Sequence, residues 1–447
     1  MNRVEAIGDE ALGNTSYLVD VGGGSALAVD PRRDTAEHLA IAERSGLRIV
    51  GVLETHLHAD FVSGAREIAD ASGAAVYASA KAGLGFSHSP LRPGAPLIIA
   101  GAAIDVLATA GHTPEHLSFL VTIDGARLLF SGGSLIVGGA ARTDLTGPER
   151  AEELARAQFA SLRSLAALPD DTVLYPTHGA GSFCSTGPAR TASSTIGAER
   201  LANPLFAIDD EEEFVAQLRS GFGTYPRYFA HLRAVNREGA ALLQDLPEVA
   251  ELPALAARDA AERGAWLIDG REAENWARAH PTGSVSITVR PAFASWLGWV
   301  VPFGAPIVLL LEPEQLEEAT RLARRIGYDR IEGWTTFEAW GAAGLPVSSI
   351  ETLSAEEAAE RAATGEHLLD VRQANEWAAR RIPGAKHLEL GDIIAGKSPE
   401  ASQLIVYCGH GERSSTAASL LARRGLRVAN LRGGTFGWHR AGLAFES

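Results

Sequence analysis

Cysteine is scarce in this chain: Cys184 and Cys408 are the only two in 447 residues. Two thiols exclude a disulfide scaffold and make a reducing compartment, the cytoplasm, the expected location. Basic charge is also short, with 40 Lys plus Arg against 55 Asp plus Glu and a net charge of −15. A nucleic-acid binder needs a basic footprint, so nucleic acid is excluded as an expected partner. The opening MNRVEAIGDEALGN has no apolar core of the kind a signal peptide needs. The longest apolar run without a charge, PAFASWLGWVVPFGAPIVLLL (291–311), is broken by three prolines and two glycines. It reads as buried strands and loops, and no membrane partner is expected.

What is there is enough chain for two to four domains. Residues 1 to about 205 alternate short β segments with helices. YLVDV, ALAVD, RIVGVLET and AAVYAS read as strands, and IDVLATAGHT, LSFLVTID, ARLLFSGG and TVLYPTHG continue the series. DTAEHLAIAERSG and GAREIADASG read as helices closed by glycine, and PERAEELARAQFASLRSLAALP as a long amphipathic helix. The stretch 206–250 is polar and helical and is expected to bridge the first domain to the second half of the chain.

The second half repeats itself. LIDGREAENWARAHPTGSVSI (267–287) aligns with LLDVRQANEWAARRIPGAKHL (368–388). Asp269, Arg271, Ala273, Trp276 and Gly283 match Asp370, Arg372, Ala374, Trp377 and Gly384, all 101 residues on. A period this long means a duplicated domain, not a solenoid. Domains are therefore expected at 251–346 and 352–447.

The second copy carries a thiol at the end of an apolar strand, in LIVYCGHGERSSTAASLLARRG. Gly409 and Gly411 let the following loop curl its amides inward, and a helix begins directly afterwards. Convergent N–H groups and a helix N-terminus favour a thiolate at Cys408, and Arg413 is suited to hold an oxyanion. This segment resembles rhodanese, a sulfurtransferase family whose loop is C-x-x-G-x-R, matched by Cys408, Gly411 and Arg413. DVRQANEWAARRIPGA resembles the family's upstream block, with Arg380 and Arg381 replacing the usual Gly-His. The resemblance implies that Cys408 takes up a sulfane sulfur as a persulfide, with Gly409, His410, Gly411 and Glu412 around the substrate. At the same place the first copy reads Leu311 or Glu312, with no sulfur nearby, and is expected to be structural.

Metal chemistry is suggested near the N-terminus. ETHLHADFVSG holds His56, His58 and Asp60; TAGHTPEHLSF adds His112, and YPTHGAGSFC adds His178. Three histidine-bearing loops after apolar strands suit a metal site in a sandwich fold. His116 reads as a structural residue, while Cys184 fits either the core or the site mouth. The pattern resembles the metallo-β-lactamase fold and, within it, persulfide dioxygenase, a relative of glyoxalase II. The blocks THLHADFVSG, TAGHTPEHLSF, FSGGSLIVGGAARTDL, YPTHGAGS and STIGAERLANP carry the resemblance. It implies one Fe(II) held by two histidines, here His56 and His112, and an aspartate, with Arg142 where glutathione binds.

Two positions depart from that family. Gly133 stands where the ligating aspartate would be, and Phe61 stands where two-metal hydrolases place a further histidine. Both missing groups serve a second ion in those hydrolases, so a one-ion site is expected. Its ligands are His56, His58 and His112, or Asp60 supplies the carboxylate. Zinc in place of iron, and a domain without metal, stay open.

The expected architecture is an αββα metallo-β-lactamase sandwich (1–205) followed by two α/β rhodanese-like domains. The expected activity is oxidation of a low-molecular-weight thiol persulfide to sulfite, coupled to sulfur transfer through Cys408. Thiosulfate, sulfite and a second copy of the chain are the other expected partners. The alternatives are a sulfurtransferase on a metal-free scaffold, a zinc thioester hydrolase, and a persulfide carrier or sensor without turnover.

Overall fold

The computed structural model describes residues 3–185 and 193–446. They divide into two compact units, Met1–Pro247 with Arg324–Gly327, and Glu248–Ala323 with Tyr328–Ser447.

The first unit is built on two six-stranded sheets. One runs in sequence order through β1 (Val4–Asp9), β2 (Asn14–Gly22), β3 (Ser25–Val29), β4 (Arg48–Leu53), β5 (Ala75–Ser79) and β6 (Ser89–Leu91). The other contains β7 (Pro96–Ile99), β8 (Ala102–Ala108), β9 (Leu117–Ile123), β10 (Ala126–Gly132), β11 (Val173–Pro176) and β12 (Ser194–Thr195), also in order. Strand periodicity explains the layering. In β9, Phe119 and Val121 point to one core with Tyr17, Val29 and Leu53 of the other sheet, while Leu120 points to a second core. That second core lies under the helices Ala151–Ala166 and Glu211–Ser220. A third, beneath Ala36–Arg44 and Ala65–Ser72, covers the outer face of the first sheet. The order of layers is therefore helix, sheet, sheet, helix, as expected.

The segment expected to be a bridge is not one. Its helices Glu211–Ser220 and Phe229–Glu238 belong to the first unit. Phe214, Val215 and Leu218 are buried on one face of the former, so it is an amphipathic layer helix. Its acidic first turn, Glu211 to Glu213, made the segment look merely polar.

In the second unit the duplication is visible in the sheets. The strands Val285–Ser286, Trp266–Asp269, Ile307–Leu310 and Ile331–Thr335 lie side by side, all parallel. Lys386–His387, His367–Asp370, Gln403–Tyr407 and Arg427–Leu431 repeat that order, with Glu351–Leu353 added at the edge. Each copy also buries one Asp–Arg pair. Arg271 bonds Asp269 at 2.9 and 2.6 Å and donates to Ala279 O at 2.9 Å. Arg372 bonds Asp370 at 3.0 and 2.5 Å and donates to Arg380 O at 2.8 Å. The long apolar run folds as the helix Phe293–Val300 and the strand Ile307–Leu310, a helix where only strands and loops were expected. Among the described residues no helix is long and apolar enough to cross a membrane.

Candidate metal centre and candidate thiol site

The chemistry-bearing residues of the first unit sit on loops that follow strands. β4 leads into Thr55, His56 and His58; β8 leads to His112; β11 leads to Thr177 and His178. The parallel pairings of β3 with β4 and of β10 with β11 align these strand ends.

Three imidazoles converge. Ligand atoms of His56, His112 and His178 lie within 4.8 Å of one another. Each ring is braced through Nδ1: His56 by Thr55 Oγ1 at 2.7 Å, His112 by Arg142 O at 2.6 Å, and His178 by Asn14 Oδ1 at 3.0 Å. That leaves Nε2 of each ring to face the others. Such bracing is what orients histidines toward an ion. His56 Nε2 and His178 Nε2 are 3.3 Å apart. Two nitrogens about 2.1 Å from one ion, at tetrahedral or octahedral angles, lie roughly 3.0–3.4 Å apart. The pair therefore fits a single transition-metal ion. Burial holds all three rings below their ordinary pKa, His112 and His178 down to about 3, so they are neutral and carry free lone pairs.

His58 is not in that triad. Its ring stacks on Phe61 with centroids 4.2 Å apart, and its Nε2 lies 3.4 Å from Asp30 and 3.6 Å from Glu54. Burial opposes charge on His58, but Asp30, Glu54 and Asp60 outweigh it and carry the ring up to about 9. Phe61 thus fills the space of an absent ligand and helps hold His58 toward the carboxylates. Of the expected ligands His56, His58 and His112, the first and third come together with His178 in one group. His58 also falls in a group with Asp30 and His56, and in another with Asp60 and His178. Asp60 is 1% exposed, and neither of its oxygens has a hydrogen-bond partner among the described residues. It faces His178 Nδ1 at 3.4 Å and does not join the triad.

At Gly133 itself there is no room for the family's aspartate. A methyl group built there would stand 2.6 Å from His112 Cδ2 and 3.0 Å from His178 Cδ2. The imidazoles occupy the space an aspartate would need. His116 is structural, as expected: Gly133 N donates to its Nε2 at 3.1 Å and Thr109 Oγ1 meets its Nδ1 at 2.9 Å.

Sequence reasoning missed Asp30, the last residue of ALAVD. It is fully buried at a left-handed φ of 47° and accepts from Thr55 N at 2.8 Å, Thr55 Oγ1 at 2.7 Å and Thr177 Oγ1. Through Thr55 it fixes His56. Strain tolerated at a polar strand end marks functional sites, but the conformation is not written in the residue types. Asn14, in an N-terminal strand, was missed because its partner His178 is 164 residues away.

Arg142, expected where glutathione binds, has its guanidinium engaged within the protein. Its side chain is buried, bonded to Asp144 at 2.7 and 2.8 Å and covered by the rings of Phe222 and Tyr225. Its carbonyl oxygen positions His112. The helix Phe229–Glu238 and the residue before it close the same region. Tyr228 donates to Asp60 O at 2.8 Å; Asn236 donates to His58 O and Phe61 O at 2.8 and 2.9 Å and accepts from Ser63 N at 2.8 Å. Replacing Asn236 by alanine removes three hydrogen bonds from the 58–63 loop. At about 1 kcal/mol each it lowers unfolding stability by roughly 3 kcal/mol, readable by chemical denaturation. Beside His56 and Glu54 there is a void of about 20 Å³, no more than one water. Cys184 is in the interior, not at a mouth. Burial, with the Asp60 carboxylate nearby, pushes its thiol well above the usual range.

In the second unit Cys408 ends the strand Gln403–Tyr407 and precedes the helix Glu412–Arg423. Of the expected convergent amides, that of Gly411 (φ 116°) reaches Sγ, at 3.1 Å. The loop is clamped from behind. Thr435 N donates to Cys408 O at 2.8 Å and Phe436 N to Gly409 O at 3.1 Å. Gly434 permits that approach, because a side chain there would strike Cys408 O. Arg413 forms a two-pronged pair with Glu376, at 2.6 and 2.9 Å. His410 is exposed beside Phe436. The strand registers settle what occupies the matching place in the first copy. Asp370 pairs with Tyr407 and Asp269 with Leu310, so Leu311 corresponds to Cys408. Leu311 is fully buried against Gly270, and that copy has no nucleophile.

Comparisons with known proteins agree with this layout. A hydroxyacylglutathione hydrolase of Polaromonas sp. is 30% identical over 247 residues, covering 48% of this chain and 90% of that protein. Residues 11–178 match the metallo-β-lactamase superfamily. The chain belongs to that superfamily. The metallo-β-lactamase portion is followed by a rhodanese-like domain, matched over residues 354–441. The hydroxyacylglutathione hydrolase of Pseudomonas entomophila is 32% identical over 161 residues, 36% of this chain and 60% of that protein. The chain thus spans less than two thirds of that relative. A metallo-β-lactamase from Staphylococcus aureus subsp. aureus COL has a similar structure, with a TM-score of 0.66 and 29% identity. The match covers 74% of this chain and 98% of that one, a larger share than the first unit alone.

Proposed function

We propose that this protein is a sulfur-handling enzyme that transfers sulfane sulfur through Cys408 and oxidises a low-molecular-weight persulfide in its first unit. The Cys408 loop carries this reading, with the Gly411 amide on Sγ and Arg413 two residues beyond. The thiolate attacks the outer sulfur of thiosulfate. That S–S bond breaks, its electron pair leaves with sulfite, and a persulfide forms on Cys408. A thiol acceptor then attacks the outer sulfur and regenerates the thiolate.

In the first unit His56, His112 and His178 would hold one ion, iron or zinc. An iron ion there would supply the redox chemistry for O₂ and sulfur. Overall, one persulfide, one O₂ and one water give one thiol and one sulfite with its two protons. The protein's own contribution is to brace the three rings, to keep them neutral and to exclude bulk water. The hydrolase activity named in the relatives is the competing chemistry. Against it stand Gly133, in place of the aspartate that would join two ions, and Phe61, in place of a histidine for the second ion. The iron-loaded protein supplied with glutathione persulfide is expected to consume one O₂ and release one sulfite per persulfide. An iron-loaded protein that consumes no O₂ overturns the oxidation half.

One observation favours a second reading, a sulfurtransferase on a lactamase-like scaffold. The void of about 20 Å³ beside His56 holds no more than one water and does not admit a thiol of glutathione's size. Sulfur transfer unchanged in His56→Ala and His112→Ala, with no O₂ uptake in the parent, would select it.

A further inference from the structure

The repeat without a nucleophile reaches the thiol site of the other repeat. Its segment 283–290 runs along the helix that begins after the Cys408 loop. Thr416 Oγ1 donates to Ser286 O at 2.7 Å, and Arg423 Nη1 donates to Gly283 O at 3.1 Å. At the helix N-terminus, Arg290 forms an ion pair with Glu412, the residue directly after Gly411.

The charges at this mouth explain why that matters. Arg413 is the cation the Cys408 loop supplies, and it is already matched by Glu376. Glu412 adds a second carboxylate one residue from the amide that bonds Sγ. Left bare, it would repel an incoming dianion. Arg290 is the cation paired with it, and both side chains remain partly exposed, 41% and 36%, at the rim. His410, in the same loop, and Phe436 are exposed beside one another.

We propose that Arg290 of the nucleophile-free repeat is a positioning residue of the Cys408 site, neutralising Glu412 so that the loop accepts anionic sulfur donors. The inference rests on Cys408 being the working thiol. It gives the degenerate copy a definite role, which is to set donor charge preference from across the repeat boundary.

Two readouts separate this inference from the reading beneath it. The first is steady-state transfer from thiosulfate to cyanide at low ionic strength. Rim ion pairs have modest effects, so Arg290→Ala is expected to raise KM for thiosulfate roughly fivefold with kcat little changed. Arg290→Lys should retain most of the parent KM, and Arg290→Ala/Glu412→Gln should recover it. The second readout needs no turnover: the ratio of Cys408 alkylation rates with iodoacetate and with iodoacetamide. Arg290→Ala should lower that ratio, and the double variant should restore it. An Arg290→Ala protein with both KM and the ratio unchanged overturns the proposal. So does a double variant as impaired as the single one, since Arg290 would then not act through Glu412. A parent protein with no sulfur transfer, but with a ratio that responds as described, overturns the sulfurtransferase reading and keeps the electrostatic role.

Discussion

Replacing Cys408 by serine will abolish sulfur transfer from thiosulfate, with a loss on the order of a thousandfold or more, while leaving the fold intact. The size of the effect comes from the chemistry. A persulfide needs a sulfur nucleophile that is ionised near neutral pH and accepts a second sulfur, and a serine hydroxyl does neither. The fold should survive because the change is nearly isosteric at a site 2% exposed. The clamp on the loop uses Cys408 O and Gly409 O, not the thiol. The first copy cannot rescue the variant, since Leu311 stands in the matching place and no other described cysteine but the buried Cys184 remains. The measurement is cyanide-dependent thiocyanate formation, with unfolding transitions recorded in parallel. Substantial residual turnover in a folded Cys408→Ser protein would remove Cys408 from the mechanism.

Much of this site was legible because its determinants are local. A strand, a cysteine, two glycines and a helix succeed one another within about twenty residues, and the geometry is set by their order. The duplicated Asp–Arg pairs were legible for the same reason, each spanning two residues of one chain segment. The first unit was harder. Its layers could be read from strand periodicity, but the partners of His112 and His178, and of the Asp30 that fixes His56 through Thr55, come from distant segments. Asn14 is 164 residues from His178, and Asp30 is 147 from Thr177. Nothing in the spacing of His56 and His58 says that Phe61 will stack on the second ring. The 206–250 segment was misread because its charged residues hide an apolar face that only tertiary packing exposes.

Metal content will follow His178 and not His58. An H-x-H pair in one loop suggests two ligands for one ion, and that was the expectation. In the group with His112 and His178 only His56 of the pair takes part, while His58 groups with Asp30 and His56, and with Asp60 and His178. His56, His112 and His178 each have Nδ1 committed to a protein partner, which leaves Nε2 pointing inward without loss of an existing bond. His58 has neither nitrogen hydrogen-bonded and lies against Asp30 and Glu54 instead. Moving it into the triad would break its stack on Phe61 and leave Asp30 without its cation. Alanine at His56, His112 or His178 removes one of three ligands and is expected to weaken binding on the order of a hundredfold or more. Alanine at His58 removes only a neighbour of the carboxylates and is expected to weaken it by less than roughly tenfold. The check is stoichiometric: metal per chain after purification, and again after dialysis against a weak chelator, for the parent and the four variants. The parent should hold one ion, because Gly133 offers no carboxylate and a built side chain there meets His112 at 2.6 Å. Two ions per chain, or an ion lost with His58 but kept without His178, would overturn this ligand set and return the centre to the H-x-H arrangement that the sequence first suggests.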